Sequence, residues 1–194
     1  MPDVPLKFRW RLPPEHWDLA GGVLTVRAGA CTDLFVDPGG APTVANAPRL
    51  LAPAAGDFRL SARVTVDFGS RFDAGVLLLW FDGGAWAKLC LECAPLDVPT
   101  VVSVVTRGLS DDCNSHPTDG NSTWLRVTRR GGAFAFHSSA DGETWNLVRH
   151  FALAPSAQIE VGFMAQSPEG EGCTATFDAI RHRREPLRDL RSGE

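Results

Sequence analysis

Apolar and polar positions alternate through most of the chain. Phe58, Leu60, Ala62, Val64, Val66 and Phe68 fall on one side of an extended segment, and Arg59, Ser61, Arg63, Thr65 and Asp67 on the other. A period of two with one wet side predicts a long β-strand that meets a core through one face. Leu125 and Val127 alternate in the same way with Trp124, Arg126 and Thr128, and Phe134 and Phe136 with Ala135 and His137. Ile159, Val161, Phe163 and Ala165 oppose Glu160, Gly162 and Met164, while Ala175 and Phe177 oppose Thr174, Thr176 and Asp178. Residues 76–81 differ, because the run is apolar without interruption. That pattern predicts a strand covered on both faces. Asp82-Gly83-Gly84, Arg130-Gly131-Gly132 and Asp141-Gly142 punctuate the runs with residues that tolerate positive φ in hairpin turns. No amphipathic helix of three turns is evident. Short strands with turn signals between them predict an all-β sandwich or barrel. We assign it to a single domain over residues 1–180, followed by a charged extension at 181–194 that is expected to fray.

Composition narrows the function classes. With 44% hydrophobic and 22% charged residues in 194, the chain has the apolar mass for a real core. A net charge of −4 lacks the basic footprint of a nucleic-acid binder. No run of 18 apolar residues predicts a membrane span. The opening Met-Pro-Asp-Val-Pro has neither the basic nor the apolar region of a secretory leader, so a cytoplasmic protein is expected. The five cysteines are odd in number and show no disulfide framework, as expected of free thiols in a reducing compartment. Cys90 and Cys93 have C-x-x-C spacing, but residues three apart on a strand point to opposite faces. The histidines show no metal-ligand spacing, and no nucleophile elbow or phosphate-cradling glycine loop is present. No metal and no cofactor are expected.

The candidate chemistry starts from a bias. The chain has two lysines against seventeen arginines, so a lysine inside a strand suggests a contact specific to a compact ammonium. Lys88 occupies such a position, in Trp86-Ala-Lys-Leu-Cys-Leu-Glu92. Trp86, Lys88, Cys90 and Glu92 share one side of that strand. Lys88 and Glu92 are about 13 Å apart along it, too far for a direct ion pair. The next strand, 100–107, is expected to return antiparallel. One register sets Glu92 against Val101 and Lys88 against Val105, bringing Ser103 and Arg107 to the polar face. A shift of one brings Thr106 there instead. Residues 110–116 read as a loop, with Asp111 and Asp112 as turn residues or as a carboxylate facing Lys88 or Arg107. Ser139-Ala-Asp141-Gly142-Glu-Thr-Trp145 reads as a tight hairpin with Trp145 packed over it.

Taken in order, Trp86-x-Lys88-x-x-x-Glu92, Ser103-Val-Val-Thr106, Ser110-Asp111, Leu125-Arg126-Val127, Ser139-x-Asp141-Gly142-x-x-Trp145, Gly162 and Ser167-Pro168 resemble the domain-of-unknown-function 1349 family. That family includes a fungal protein named for regulation of enolase. The resemblance runs from about Phe8 to Ile180. It implies a concanavalin-A-like jelly roll of two antiparallel sheets, whose concave sheet often carries ligands, and it brings no established activity. Three functions follow as expectations. The first is a non-catalytic module binding a carbohydrate or another small polar ligand through Trp86, Lys88, Glu92, Arg107, Asp111 and Arg126. The second is a glycoside-hydrolase-like enzyme with Glu92 and Asp111 as its acid/base pair, which requires carboxyls within about 10 Å. The third is a regulatory protein whose partner is a metabolic enzyme.

Overall fold

In the computed structural model, residues 6–153 and 158–194 are described, and they contain strands and no helix. Sixteen strands follow in chain order: β1 (Arg9–Leu12), β2 (His16–Ala20), β3 (Val23–Arg27), β4 (Leu34–Phe35), β5 (Val44–Ala45), β6 (Arg49–Ala55), β7 (Phe58–Val66), β8 (Ala74–Asp82), β9 (Ala85–Cys93), β10 (Pro99–Arg107), β11 (Leu109–Pro117), β12 (Ser122–Arg130), β13 (Ala133–Ser139), β14 (Asn146–Ala152), β15 (Gln158–Gln166) and β16 (Thr174–Arg183). They form two seven-stranded sheets, ordered β1-β6-β15-β8-β9-β10-β11 and β14-β13-β12-β7-β16-β3-β2, and the small pair β4-β5. The two sheets pack as a sandwich, and the pairing within them is antiparallel, as at β8–β9, β9–β10 and β7–β12.

The alternating side chains meet between the sheets. Leu77, Leu89, Val161 and Phe163 of the first sheet pack with Leu60, Val64, Leu125, Phe136 and Phe177 of the second. Burying each such side chain fully contributes about 1.5–3 kcal/mol. Gly162 marks where β15 lies tight against β6, since a Cβ there would stand 2.0 Å from the Leu50 carbonyl oxygen.

The outer faces of the two sheets differ. The second sheet keeps wet positions, so β7 reads as clean alternation. On the first sheet a second apolar layer forms, in which Val76, Leu78, Trp86, Cys90, Val102 and Met164 are covered by Leu34, Phe35 and Ala47 of the segment before β6. The strand β8 is therefore buried on both faces, as its uninterrupted apolar run predicts.

Two expectations are corrected. Residues 110–116 are not a loop but the body of β11, the edge strand paired with β10. Asp, Asn and Ser are poor strand formers, but ladder pairing at an edge outweighs that weak preference. Residues 181–194 do not fray. Arg181 to Arg183 complete β16. Beyond them Leu187 and Leu190 bury themselves against Ala135, and the Leu190 carbonyl hydrogen-bonds His137 Nε2 at 2.9 Å.

Candidate functional site

Across β9 and β10 the register is Trp86↔Thr106, Lys88↔Val104, Cys90↔Val102 and Glu92↔Thr100. The shifted alternative is the one adopted, so Thr106 shares the Lys88 face and Ser103 and Arg107 do not. Beyond β10, the strand β11 sets Asp112 opposite Val104 and Asn114 opposite Val102. This outer face, with the segment around Asp33 and Phe35 folded over it, encloses a pocket of about 410 Å³ lined by Lys88, Glu92, Asp112, Asn114, Gln166 and Asp33. That volume suits a small-molecule ligand.

Lys88 is 2% exposed. Its Nζ donates to Gln166 Oε1 at 2.9 Å and to Asp33 Oδ1 at 3.4 Å. Gln166 is the closer partner, because the Asp33 distance is long for a charge-assisted hydrogen bond. The Gln166 amide is oriented by its own Nε2, which donates to the Phe72 carbonyl at 3.2 Å. Asp33 is fixed by Asn46, whose Oδ1 accepts from the Asp33 backbone N–H at 2.9 Å. The rings of Trp86 and Phe35 flank the ammonium at 5.7 and 5.8 Å. An ammonium has three donors, so one remains for a ligand. Phe72, also on the pocket wall, holds φ at +63°. For a bulky residue that conformation costs on the order of 1–3 kcal/mol. It is held by hydrogen bonds on both sides, Phe72 N–H to the Cys93 carbonyl at 2.8 Å and Gln166 to the Phe72 carbonyl.

Glu92 is the member whose carboxyl opens into the pocket. It is 7% exposed and lines the pocket, yet among the described residues it has no hydrogen-bond or ion-pair partner. Burial pushes its carboxyl up to about 7, against the pull of Lys88 and with further help from the negative charges of Asp33 and Asp112. Near neutral pH it therefore both donates and accepts. Burial likewise pushes the neighbouring Cys90 thiol well up, so it stays an inert SH.

Of the six residues expected to bind ligand, Lys88 and Glu92 line this pocket. Trp86 lies beneath it, with 0% exposure, and supports the ammonium rather than offering a face to a ligand. Arg107, Asp111 and Arg126 are placed elsewhere. Arg107 reaches across to the Ala152 carbonyl of β14. Asp111 points to the opposite face from Asp112 and pairs with Arg149 of β14 at 2.9 Å. Both tie the edge of the first sheet to the second. Arg126 lies on the far face of the second sheet, 4.1 Å over the Trp145 ring. Because Glu92 and Asp111 face opposite sides of one sheet, the structure does not assemble them as an acid/base pair. Trp145, expected over its own hairpin, stacks with Arg126, and it is Trp124 that lies against Gly142, where a Cβ would stand 2.7 Å from the indole. The turn itself is held by Asp141, whose carboxylate accepts from the Glu143 and Thr144 N–H groups at 2.8 and 2.7 Å.

Sequence reasoning missed Asp33, Asn114 and Gln166, and left Asp112 open between a turn residue and a carboxylate facing Lys88 or Arg107. The signal for Asp112 and Asn114 was parity with Ser110, once 110–116 is treated as a strand. Gln166 immediately precedes Ser167-Pro168, already part of the family pattern. Asp33 carries no such signal. A second groove of about 460 Å³ beside Trp80 offers less chemistry, because its charged groups Arg11 and Glu160 are already paired at 2.8 Å. Among the described residues no cluster of His, Cys, Asp and Glu could hold a metal ion, and no helix is long and apolar enough to cross a membrane.

Comparison with known proteins agrees with this architecture. Residues 10–185 match the family described as "Protein of unknown function (DUF1349)". The chain is 32% identical over 121 residues to Regulation of enolase protein 1 of Saccharomyces cerevisiae, an alignment covering 62% of this chain and 61% of the relative. The chain thus spans less than two thirds of that relative's length. A crystal structure of a functionally unknown protein from S. cerevisiae superposes with a TM-score of 0.86 at 27% identity, covering 93% of this chain and 97% of that one. The GH43 BlXynB protein of Bacillus licheniformis gives 0.70 at 16% identity, over 92% of this chain but only 37% of its own. The carbohydrate-binding module CBM66 of Bacillus subtilis gives 0.59 at 14% identity, over 90% of this chain and 94% of the module. At these identities the last two likenesses speak to the fold alone.

Proposed function

We propose, from the premise that this chain belongs to the DUF1349 family of proteins of unknown function, that it is a non-catalytic binding module for a carbohydrate or similar small polyhydroxylated ligand. The observation that carries this reading is Glu92, a carboxyl 7% exposed, on the pocket wall and without a partner. Its carboxyl opens into the pocket, where a ligand hydroxyl can replace water as its partner. Lys88 is pre-positioned by Gln166 and Asp33 to supply a donor, and Asp112 and Asn114 extend the polar wall. The carboxylates Asp33 and Asp112 outnumber the one ammonium, which favours a neutral ligand rich in hydroxyls over an anion. Phe35 and Phe72 supply the apolar wall on which a sugar ring can lie. The likeness in fold to CBM66 supports the same reading.

A glycan array followed by titration calorimetry tests it. The expected result is saturable binding of a neutral saccharide, weakened about tenfold or more by Glu92→Gln and by Lys88→Met. Absence of any saccharide binding at millimolar concentration, or binding indifferent to both substitutions, would overturn it. A second reading, in which the chain binds a metabolic enzyme, is favoured by the name of the yeast relative. Pull-down from a cell lysate that enriches an enzyme through the Lys88 variant as well as the native chain would support that reading instead.

A further inference from the structure

The outer face of the second sheet concentrates positive charge that the Lys88 pocket does not use. Register sets Arg126 of β12 beside Ser61 of β7, and Ser61 beside Arg181 of β16. In the adjacent row Thr128, Arg59 and Arg183 stand across the same three strands. Like charges directly opposite on neighbouring strands destabilise a sheet, and Arg59 faces Arg183 in that way. A pocket of about 140 Å³ lies among the four arginines, with the indoles of Trp124 and Trp145 as its other walls and no carboxylate lining it.

The guanidiniums of Arg59 and Arg126 are held, but each keeps a buried donor without an acceptor. Arg126 is 6% exposed, fixed by the Gly193 carbonyl at 2.8 Å from Nη2 and by the Trp145 ring. Its Nε–H is buried without an acceptor, and so is that of Arg59. Burial and then the charge of Arg59 lower the Arg126 guanidinium to about 10. Two neighbouring carboxylates are committed elsewhere. Asp178 pairs with Arg63 at 3.0 Å, and Asp141 is occupied by its own turn. Glu185 is exposed and acts on Arg59 from outside the pocket.

We propose that this second pocket is an oxyanion site that takes a single phosphate group, free or carried on a monoester. Guanidinium donors match phosphate oxygens in geometry and charge. An anion between the arginines also removes the like-charge opposition in the sheet. The volume suits one phosphate group and leaves the remainder of a monoester outside.

Thermal shift and calorimetry with inorganic phosphate, and in parallel with glycerol phosphate, test this in a low-salt buffer free of other oxyanions. Saturable binding is expected for the native chain, falling as sodium chloride is raised from about 20 to 200 mM. Arg59→Gln and the exposed-residue variant Arg181→Gln should each weaken it about tenfold. The second variant keeps the test decisive if the first fails to fold. Lys88→Met, in the other pocket, should leave phosphate binding unchanged. Tighter binding of the monoester supports a phosphorylated metabolite, and equal binding supports free phosphate. No phosphate-dependent stabilisation of the native chain, or binding undiminished from native in both arginine variants, would overturn the site.

Discussion

Replacing Glu92 with Gln isolates the carboxyl on which the proposed function rests. In the folded chain that carboxyl titrates at about 7, against 4.5 for an unperturbed glutamate, chiefly because of burial. The sign follows from proton counts. Between pH 4.5 and 7 the unfolded chain has released this proton and the folded chain still holds it, so stability falls as pH rises. The stabilising contribution is complete below the unfolded value and gone above the folded one. The shift amounts to roughly 3 kcal/mol at 1.36 kcal/mol per pH unit. Glutamine keeps the shape and does not titrate. Urea denaturation of both proteins at intervals from pH 4 to 9 gives the difference in stability, from which titrations common to both largely cancel. Relative to wild type, Glu92→Gln should gain roughly 3 kcal/mol between pH 4.5 and 7.5 and then level off. With urea slopes of about 1–3 kcal/mol per molar, the midpoint difference moves by about 1–3 M. A flat difference curve would refute the reasoning. So would a wild type that gains on the variant with rising pH, the behaviour of a carboxylate dominated by its attraction to Lys88.

Three other outcomes follow from the geometry. Lys88→Met removes the attraction that opposes burial at Glu92, so the Glu92 transition should move above pH 7. The same change should cost about 1–3 kcal/mol, less than for a fully buried pair because Asp33 keeps part of its surface in water. An unmoved transition in the same denaturation series would contradict this. His137 is 0% exposed, and burial first, then Arg126, lower its imidazole to about 4. Its neutral form supports folding above pH 6.5, and that support is lost as pH falls through 4. Ring shifts in NMR should show a midpoint near 4, and a midpoint near 6.5 would refute the assignment. Gly162→Ala drives a methyl into the Leu50 carbonyl and should cost at least about 3 kcal/mol in denaturation, whereas a loss under about 1 kcal/mol would show that β6 and β15 can separate without strain.

What could be foreseen depended on whether one face of a strand stays wet. The strand β7 keeps one face wet, so Phe58 to Val66 announced both the strand and its inward side chains. The first sheet is covered on both sides, and only the length of the apolar run at β8 gave it away. The side shared by Lys88 and Glu92 was legible from parity within β9. The neighbours of those residues were not, because they come from positions far along the chain, Asp33 and Gln166 among them. Asp111 and Asp112 show how narrow the margin is. One pairs with Arg149 and the other reaches the pocket, and only the register of β11 decides between them. The C-terminal segment carried its own cue in Leu187 and Leu190, three apart among charges, but the apolar ground that receives them belongs to β13.

The covering of the first sheet has a consequence for how freely the chain can vary. The strand β9 is buried at every position after its first, and β10 at all but its two ends. A strand in that setting has no silent side, so any substitution in it alters packing either between the sheets or beneath the pocket. Changes that leave the fold untouched are therefore confined largely to the outer positions of β2, β3, β7, β14 and β16 and to the turns. Homologous chains should diverge fastest there, and reporter groups or solubilising charges should be introduced there. The strand that presents Lys88 and Glu92 is thus among the parts of the chain least able to absorb change, whatever its ligand.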